Sequence, residues 1–429
     1  MCVSPARHGV SHSRLFLFLL SCVFLFLPCS AQSDNVTLRQ SGTLQNHENS
    51  SLKRLKNQAK KEKNQQLSNA LKAVEACQKL HHKLDISQKE LIQIALFIET
   101  DLKKYIAEKK YYLHPKETRL ACPIEYDPKT GSLFIHLRGI LGGGAYKTIT
   151  CCIRYDVKAP ELFAACTQTA NMDKEIEMAK ALRGSTGLLQ MRAVTYRYKD
   201  GVVYHTLFCK LYQPGSLATL LDTGSIQFTL DEKIAIALDI LKGLEAMQAK
   251  GIVHRDLKKE NYLVDIQKNK KNKRTVKAVI CDFGYASYAH EAFELKAQGT
   301  TAYIAPEGLF VSTMHGADYY KTDLFAAGCV LYRLFYNKKP EWQISTSAKD
   351  SESTNTRYKR LIACLEKETG EARDQILAKL AKGIKLSQKE ALENVILSMV
   401  HPNPLNRSTA SQLRRRLEEM NKRFHKKAE

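Results

Sequence analysis

Along the chain, hydrophobic and polar positions fall into stretches of different period. Leu15 to Leu27 is apolar except for Ser21 and Cys22, and it is shorter than the ~20 residues a membrane span needs. Gln32 to about Ser51 is polar and aperiodic, which predicts a flexible linker. From Leu52 to Leu84 the chain is rich in Lys, Gln, Asn and Ala. There Leu52, Leu55 and Ala59 recur at spacings of three and four and predict a weakly amphipathic helix. Ser87 and Glu90 form a capping box that opens a second helix. It carries Leu91, Ile94, Leu96, Phe97, Leu102 and Ile106 and is expected to stop near His114-Pro115.

The period then shortens. Tyr126 to Thr206 reads as strands, with turn residues at Asp127 to Gly131 and at Asp200-Gly201. One helical stretch, Met172 to Arg183, interrupts them. From Thr229 onward helices dominate. Thr229 and Glu232 make another capping box, Ile234, Leu238 and Leu241 share one face, and Gly251 ends the helix. The pattern predicts an α+β fold with two lobes: a small β-rich lobe, then a larger helical one, with a ligand cleft between them. The expected divisions are a leader over 1–31, a linker over 32–51, a helical segment over 52–118 and a folded domain over 119–429. The lobes of that domain meet near 209–210. The helices of 52–114 either dock on the domain or pair with a partner as a coiled coil.

Composition changes this picture in two places. The leader has basic Arg7 and Arg14, then the apolar run, then the small residues of Pro28 to Ala31 before Gln32. That is the order of a secretory signal peptide, and it predicts a secreted protein or one in an envelope or secretory compartment. Left uncleaved, the same run would be a membrane anchor. The net charge of +22 in 429 residues is compatible with nucleic acid, an anionic membrane or acidic protein partners, and more simply with solvated lysine-rich faces, so the charge alone decides little. No basic stretch studded with aromatics points specifically to nucleic acid. Of twelve cysteines, Cys2, Cys22 and Cys29 lie in the leader, and the rest are irregularly spaced. Neither a disulfide framework nor a zinc knuckle is evident. Asn35 and Asn49 head glycosylation sequons that would matter in a eukaryotic secretory pathway.

Candidate chemistry concentrates in three runs: His254 to Asn261 (HRDLKKEN), Cys281 to Gly284 (CDFG) and Ala305 to Glu307 (APE). In this order and spacing they resemble the catalytic loop, metal-binding triplet and activation-segment end of eukaryotic-type serine/threonine protein kinases. The resemblance runs from Arg119 to the end and implies ATP and Mg²⁺ as cofactors and proteins as substrates. By resemblance, Asp256 orients the acceptor hydroxyl and takes its proton, and Lys258 faces the transferring phosphate. Asn261 and Asp282 offer oxygens to the metal. Thr300 is expected to bond both Asp256 and Lys258. Asp323 resembles the buried aspartate that holds the catalytic-loop backbone, and Arg407 the arginine that pairs with Glu307. Arg255 suggests pairing with a phosphate in the activation segment, with Ser287, Thr300 and Thr301 as acceptors, or with Glu291 or Glu294 in the phosphate's place. In the adenine-binding hinge, Cys209 would be the gatekeeper, followed by Lys210 and Leu211.

One departure stands out. Where the family carries its phosphate-binding lysine, after Leu162 to Ala165, this chain has Cys166, although the partner glutamate is present as Glu175. The glycine-rich loop runs Leu141, Gly142, Gly143, Gly144, Ala145, Tyr146, Lys147 and on to Ile149, with Lys147 where a third glycine is usual. A loop lysine with a third-strand cysteine is similar to the with-no-lysine kinases. That similarity implies Lys147 as the working cation. Otherwise Lys147 is a solvated surface lysine, and Cys166 marks an exported pseudokinase that acts as a nucleotide-binding scaffold.

Overall fold

The computed structural model describes residues 53–60, 65–78, 86–143, 147–156, 159–169, 172–268, 274–292, 299–313, 316–344 and 353–425. The expected leader and linker lie outside the described residues. Residues 1–62 form one unit, whose described part is helix α1 over 53–60, and residues 63–429 form the other.

The second unit opens with α2 (Gln65–Gln78) and α3 (Gln88–Thr100). They run antiparallel, since the Gln66 amide near the start of α2 donates to the Glu99 carbonyl near the end of α3 at 3.4 Å. The Ser87–Glu90 capping box forms in full. The helix does not continue to His114. It breaks at Asp101, resumes as α4 (Leu102–Ala107), and gives way to β1 (Tyr112–Leu113). Tyr112 and Leu113 pair with Glu125 and Ile124, so a sheet partner takes up backbone groups that the periodicity had assigned to a helix. His114 then caps the short α5 (Pro115–Thr118), its ring accepting from the Lys116 amide.

The small lobe is a seven-stranded antiparallel sheet. To β1 it adds β2 (Ile124–Asp127), β3 (Ser132–Gly143), β4 (Lys147–Tyr155), β5 (Glu161–Gln168), β6 (Met191–Lys199) and β7 (Val202–Lys210). Its order is β1-β2-β3-β4-β5-β7-β6. Helix α6 (Asp173–Ala181) lies between β5 and β6 in the chain. The Thr195 hydroxyl on β6 donates to the buried Glu125 on β2, so the far ends of the sheet curl toward each other. Inside the curl, Phe134, Cys152, Phe163, Ala165, Ala193 and Phe208 form the core. The Phe134 and Phe208 rings stack at 3.7 Å.

The large lobe begins with β8 (Pro214–Ser216) and α7 (Leu217–Thr223) and centres on α8 (Leu230–Ala249). Thr229 and Glu232 cap α8 reciprocally. Ile236, Ala237 and Ile240 are buried along with Ile234 and Leu241, so α8 is a central helix and not a one-faced surface helix. Around it lie β9 (Ile252–Val253), β10 (Tyr262–Lys268), β11 (Arg274–Ile280), β12 (Ser287–Tyr288), α9 (Gly316–Tyr336), α10 (Glu341–Ile344), α11 (Thr354–Ala381), α12 (Gln388–Met399) and α13 (Ala410–His425). Among the described residues no helix is long and apolar enough to cross a membrane.

Candidate active site

The catalytic-loop run lies between β9 and β10, and α9 holds its backbone. Asp323 on α9 is buried, and its two oxygens accept from the His254 amide at 2.6 Å and the Arg255 amide at 2.9 Å. Burial pushes the Asp323 carboxyl above its ordinary range, against the pull of His254 and of these amides. Arg255 sits at φ +69°, a left-handed conformation that costs a side-chain-bearing residue free energy. The doubly bonded Asp323 over-determines that turn and delivers Asp256. One Asp256 oxygen accepts from both the Thr300 amide and the Thr300 hydroxyl, each at 2.9 Å. The other accepts from Lys258 Nζ at 2.6 Å. Asn261 donates through its amide nitrogen to the Asp256 carbonyl at 2.8 Å, which leaves its amide oxygen available.

The small lobe brings Lys147 to the carboxylates. Lys147 opens β4 and pairs in register with Gln168, while Ile149 pairs with Cys166. Lys147 and Cys166 are therefore diagonal neighbours on one face of the sheet. Lys147 Nζ lies 3.2 Å from Asp282 Oδ1 and 3.7 Å from Glu175 Oε1. Burial alone would depress this lysine, but the two carboxylates outweigh it and hold Lys147 well above the usual lysine range. Asp282 responds in the opposite sense: burial pushes it up, and Lys147, with His254 and Lys258, together outweigh that and keep it below the usual carboxylate range. Glu175 is buried and remains raised despite Lys147. Burial pushes the Cys166 thiol up to about 11, so it is neutral at pH 7 and contributes no charge of its own.

The family model for the protein kinase domain matches residues 137–416. The chain belongs to the protein kinase family. Among curated relatives, the probable serine/threonine-protein kinase gdt2 of Dictyostelium discoideum is 31% identical over 179 residues, 40% of this chain and 10% of that protein. Mitogen-activated protein kinase kinase kinase 17 of Arabidopsis thaliana is 28% identical over 217 residues, 49% of this chain and 54% of that protein. Serine/threonine-protein kinase CTR1 of Arabidopsis thaliana is 32% identical over 173 residues, 39% of this chain and 19% of that protein. The matched segments thus cover about half or less of each of these relatives.

Within the kinase domain, several expectations change. Thr300 bonds Asp256 but not Lys258, which reaches the other oxygen of the same carboxylate. The Leu211 amide already donates to the Leu162 carbonyl at 3.2 Å, and Lys210 Nζ sits 3.4 Å from Asp265. Glu291 pairs with Lys174 on α6 at 2.9 Å, whereas the Arg255 guanidinium donates to the Tyr285 carbonyl at 3.5 Å. Ser287 is buried, which removes it as an accessible phosphorylation site, whereas Thr301 is exposed. Glu294 and Gly144 lie outside the described residues. Leu141, Gly142 and Ile149 flank the loop on β3 and β4, with Gly142 paired to Ile149. Gly143 is the tight position: a Cβ there would fall 2.5 Å from the Lys147 carbonyl oxygen.

Arg407 meets Glu307 through two bonds, at 2.5 and 3.0 Å, with its side chain fully buried. Gln168 is a participant that the motifs did not reveal. Its amide donates to Glu175 at 3.4 Å, and its signal lies only in the β4–β5 register.

Proposed function

We propose that the chain is a serine/threonine protein kinase that transfers the ATP γ-phosphoryl group to protein hydroxyls, with Lys147 as the cation of its cleft. The observation that carries this is Lys147 Nζ standing between Glu175 and Asp282, at 3.7 and 3.2 Å. Cys166 is the residue that favours a pseudokinase, and Lys147 supplies the charge that Cys166 lacks. The names of the curated relatives support the serine/threonine class.

The donor set fits a magnesium nucleotide. Two carboxylates face one lysine, leaving surplus negative charge for a hard cation, and Asn261 adds a neutral oxygen. When bound, Mg·ATP supplies the phosphoryl group and its leaving diphosphate, with the metal neutralising part of their charge. Lys147 places a fixed positive charge beside Asp282 in a half-buried setting, where it counts for more than in water. Asp256 is the base. Thr300 and Lys258 fix its two oxygens so that its remaining lone pairs meet an acceptor O–H and take the proton. Lys258, bonded to that base, sets a positive charge beside the transferring phosphate.

A transfer assay with labelled ATP, using the chain itself and a generic protein as acceptors, tests this proposal. Asp256→Asn should lower the rate by ~10²–10⁴-fold while nucleotide binding persists. A wild-type protein that binds nucleotide yet labels no acceptor would make it a scaffold. The proposal also includes export. The basic, apolar and small-residue order of residues 1–31 supports a cleaved leader and a secreted or envelope location.

A further inference from the structure

We propose that this kinase selects hydroxyls flanked by anionic side chains; the inference rests on the kinase activity proposed above. A cavity of about 370 Å³ opens beside Asp256, and Lys258 and Thr300, which bond that aspartate, form part of its wall. Because Lys258 and Thr300 border both, a chain that brings a hydroxyl to Asp256 can run along this cavity. The rest of its charged lining is Lys259, Glu260, Arg333 and Lys339.

The charges do not cancel. Lys258 is matched by Asp256. Lys259 and Arg333 share a single carboxylate, each taking one oxygen of Asp222. Glu260, the acidic group that would invite a basic substrate residue, has Lys259 Nζ 3.7 Å away. Lys339 forms no ion pair among the described residues. Three cations therefore face two carboxylates, in a chain whose net charge is already +22.

Lys259 and Arg333 are also held in place. Their side chains are only 16% and 20% exposed, and Asp222 ties the catalytic-loop lysine to the α9 arginine. An incoming anion would meet two fixed donors and would not have to order two mobile ones, which lowers the cost of binding. Carboxylate and phosphate share this chemistry, and arginine suits both through its planar fork.

The test is a positional peptide library around a fixed Ser or Thr, with Asp, Glu, phosphoserine, Gln, Lys and Arg at each flanking position. Near the acceptor, the anionic residues should raise kcat/KM roughly three- to ten-fold over Gln, and Lys or Arg should lower it. Comparing phosphoserine with Glu at the preferred position separates a need for phosphate from a need for charge alone. Lys339→Glu should shrink the anionic-to-neutral ratio. Lys338→Glu, which alters a cation paired with Glu368 outside the cavity, should leave that ratio unchanged. Raising the salt concentration should shrink it as well. Transfer to peptides with no preference, or with a preference for Lys or Arg, overturns the inference and leaves the kinase activity standing. An unchanged ratio in Lys339→Glu also counts against it. Failure to label any peptide, or the chain itself, overturns the activity and this inference together.

Discussion

Removing the Lys147 charge tests the site at its centre. Its ammonium stands 3.2 Å from Asp282 and 3.7 Å from Glu175. At an effective dielectric near 20, each contact is worth about 4–5 kcal/mol of gross attraction, much of it offset by desolvation of the three charges. In Lys147→Met two carboxylates remain with no cation between them, and Glu175, already raised by burial, loses the charge that opposes that rise. The ground state relaxes by protonating or hydrating a carboxylate. The transition state has no such outlet, because the charge that Lys147 would meet there goes unmet.

Loss of one pre-organised electrostatic group typically costs ~10²–10³-fold in rate, about 3–4 kcal/mol. Single-turnover transfer from labelled ATP should therefore fall by roughly 10² or more in Lys147→Met. Cys166→Ala should stay close to wild type, because a thiol pushed up to about 11 carries no charge to lose. Cys166 lies diagonally across the β4–β5 register from Lys147 on the same face. A lysine at 166 can then reach the same carboxylates, and Lys147→Gly combined with Cys166→Lys should recover part of the rate. Turnover of Lys147→Met within about three-fold of wild type would refute the assignment, because no electrostatic stabiliser is that dispensable.

Other expectations follow from single contacts. Arg407→Ala leaves Glu307 facing a buried hole and should destabilise the large lobe by about 3–5 kcal/mol, read from urea unfolding midpoints. Glu390 is pulled from its ordinary 4.5 down to about 2 by Lys379 and by the Ser387 capping bonds. With a depressed pKa, its contribution is complete above pH 4.5 and fades as pH falls toward 2. The melting-temperature gap between wild type and Glu390→Gln should shrink over that window. The mature protein should begin at Gln32, and an intact mass that retains residues 1–31 would count against cleavage.

The sequence by itself determined what depends on neighbours in the chain. The HRDLKKEN, CDFG and APE runs are legible because the chemistry needs several groups on one short backbone segment. The Ser87 and Thr229 caps are legible because a capping box is closed by residues three apart. The tertiary structure decided what depends on distant partners. β1 exists because β2 competes for backbone hydrogen bonds that helical periodicity cannot foresee. Thr300 chose Asp256 over Lys258, and Glu291 chose Lys174, 117 residues away, over Arg255. Lys147 was a candidate in the sequence, but its placement between Glu175 and Asp282, the latter 135 residues off, comes from the β4–β5 register and from how the lobes close. An ion pair carries no local signature: its energy depends on a distance that only the packed fold sets.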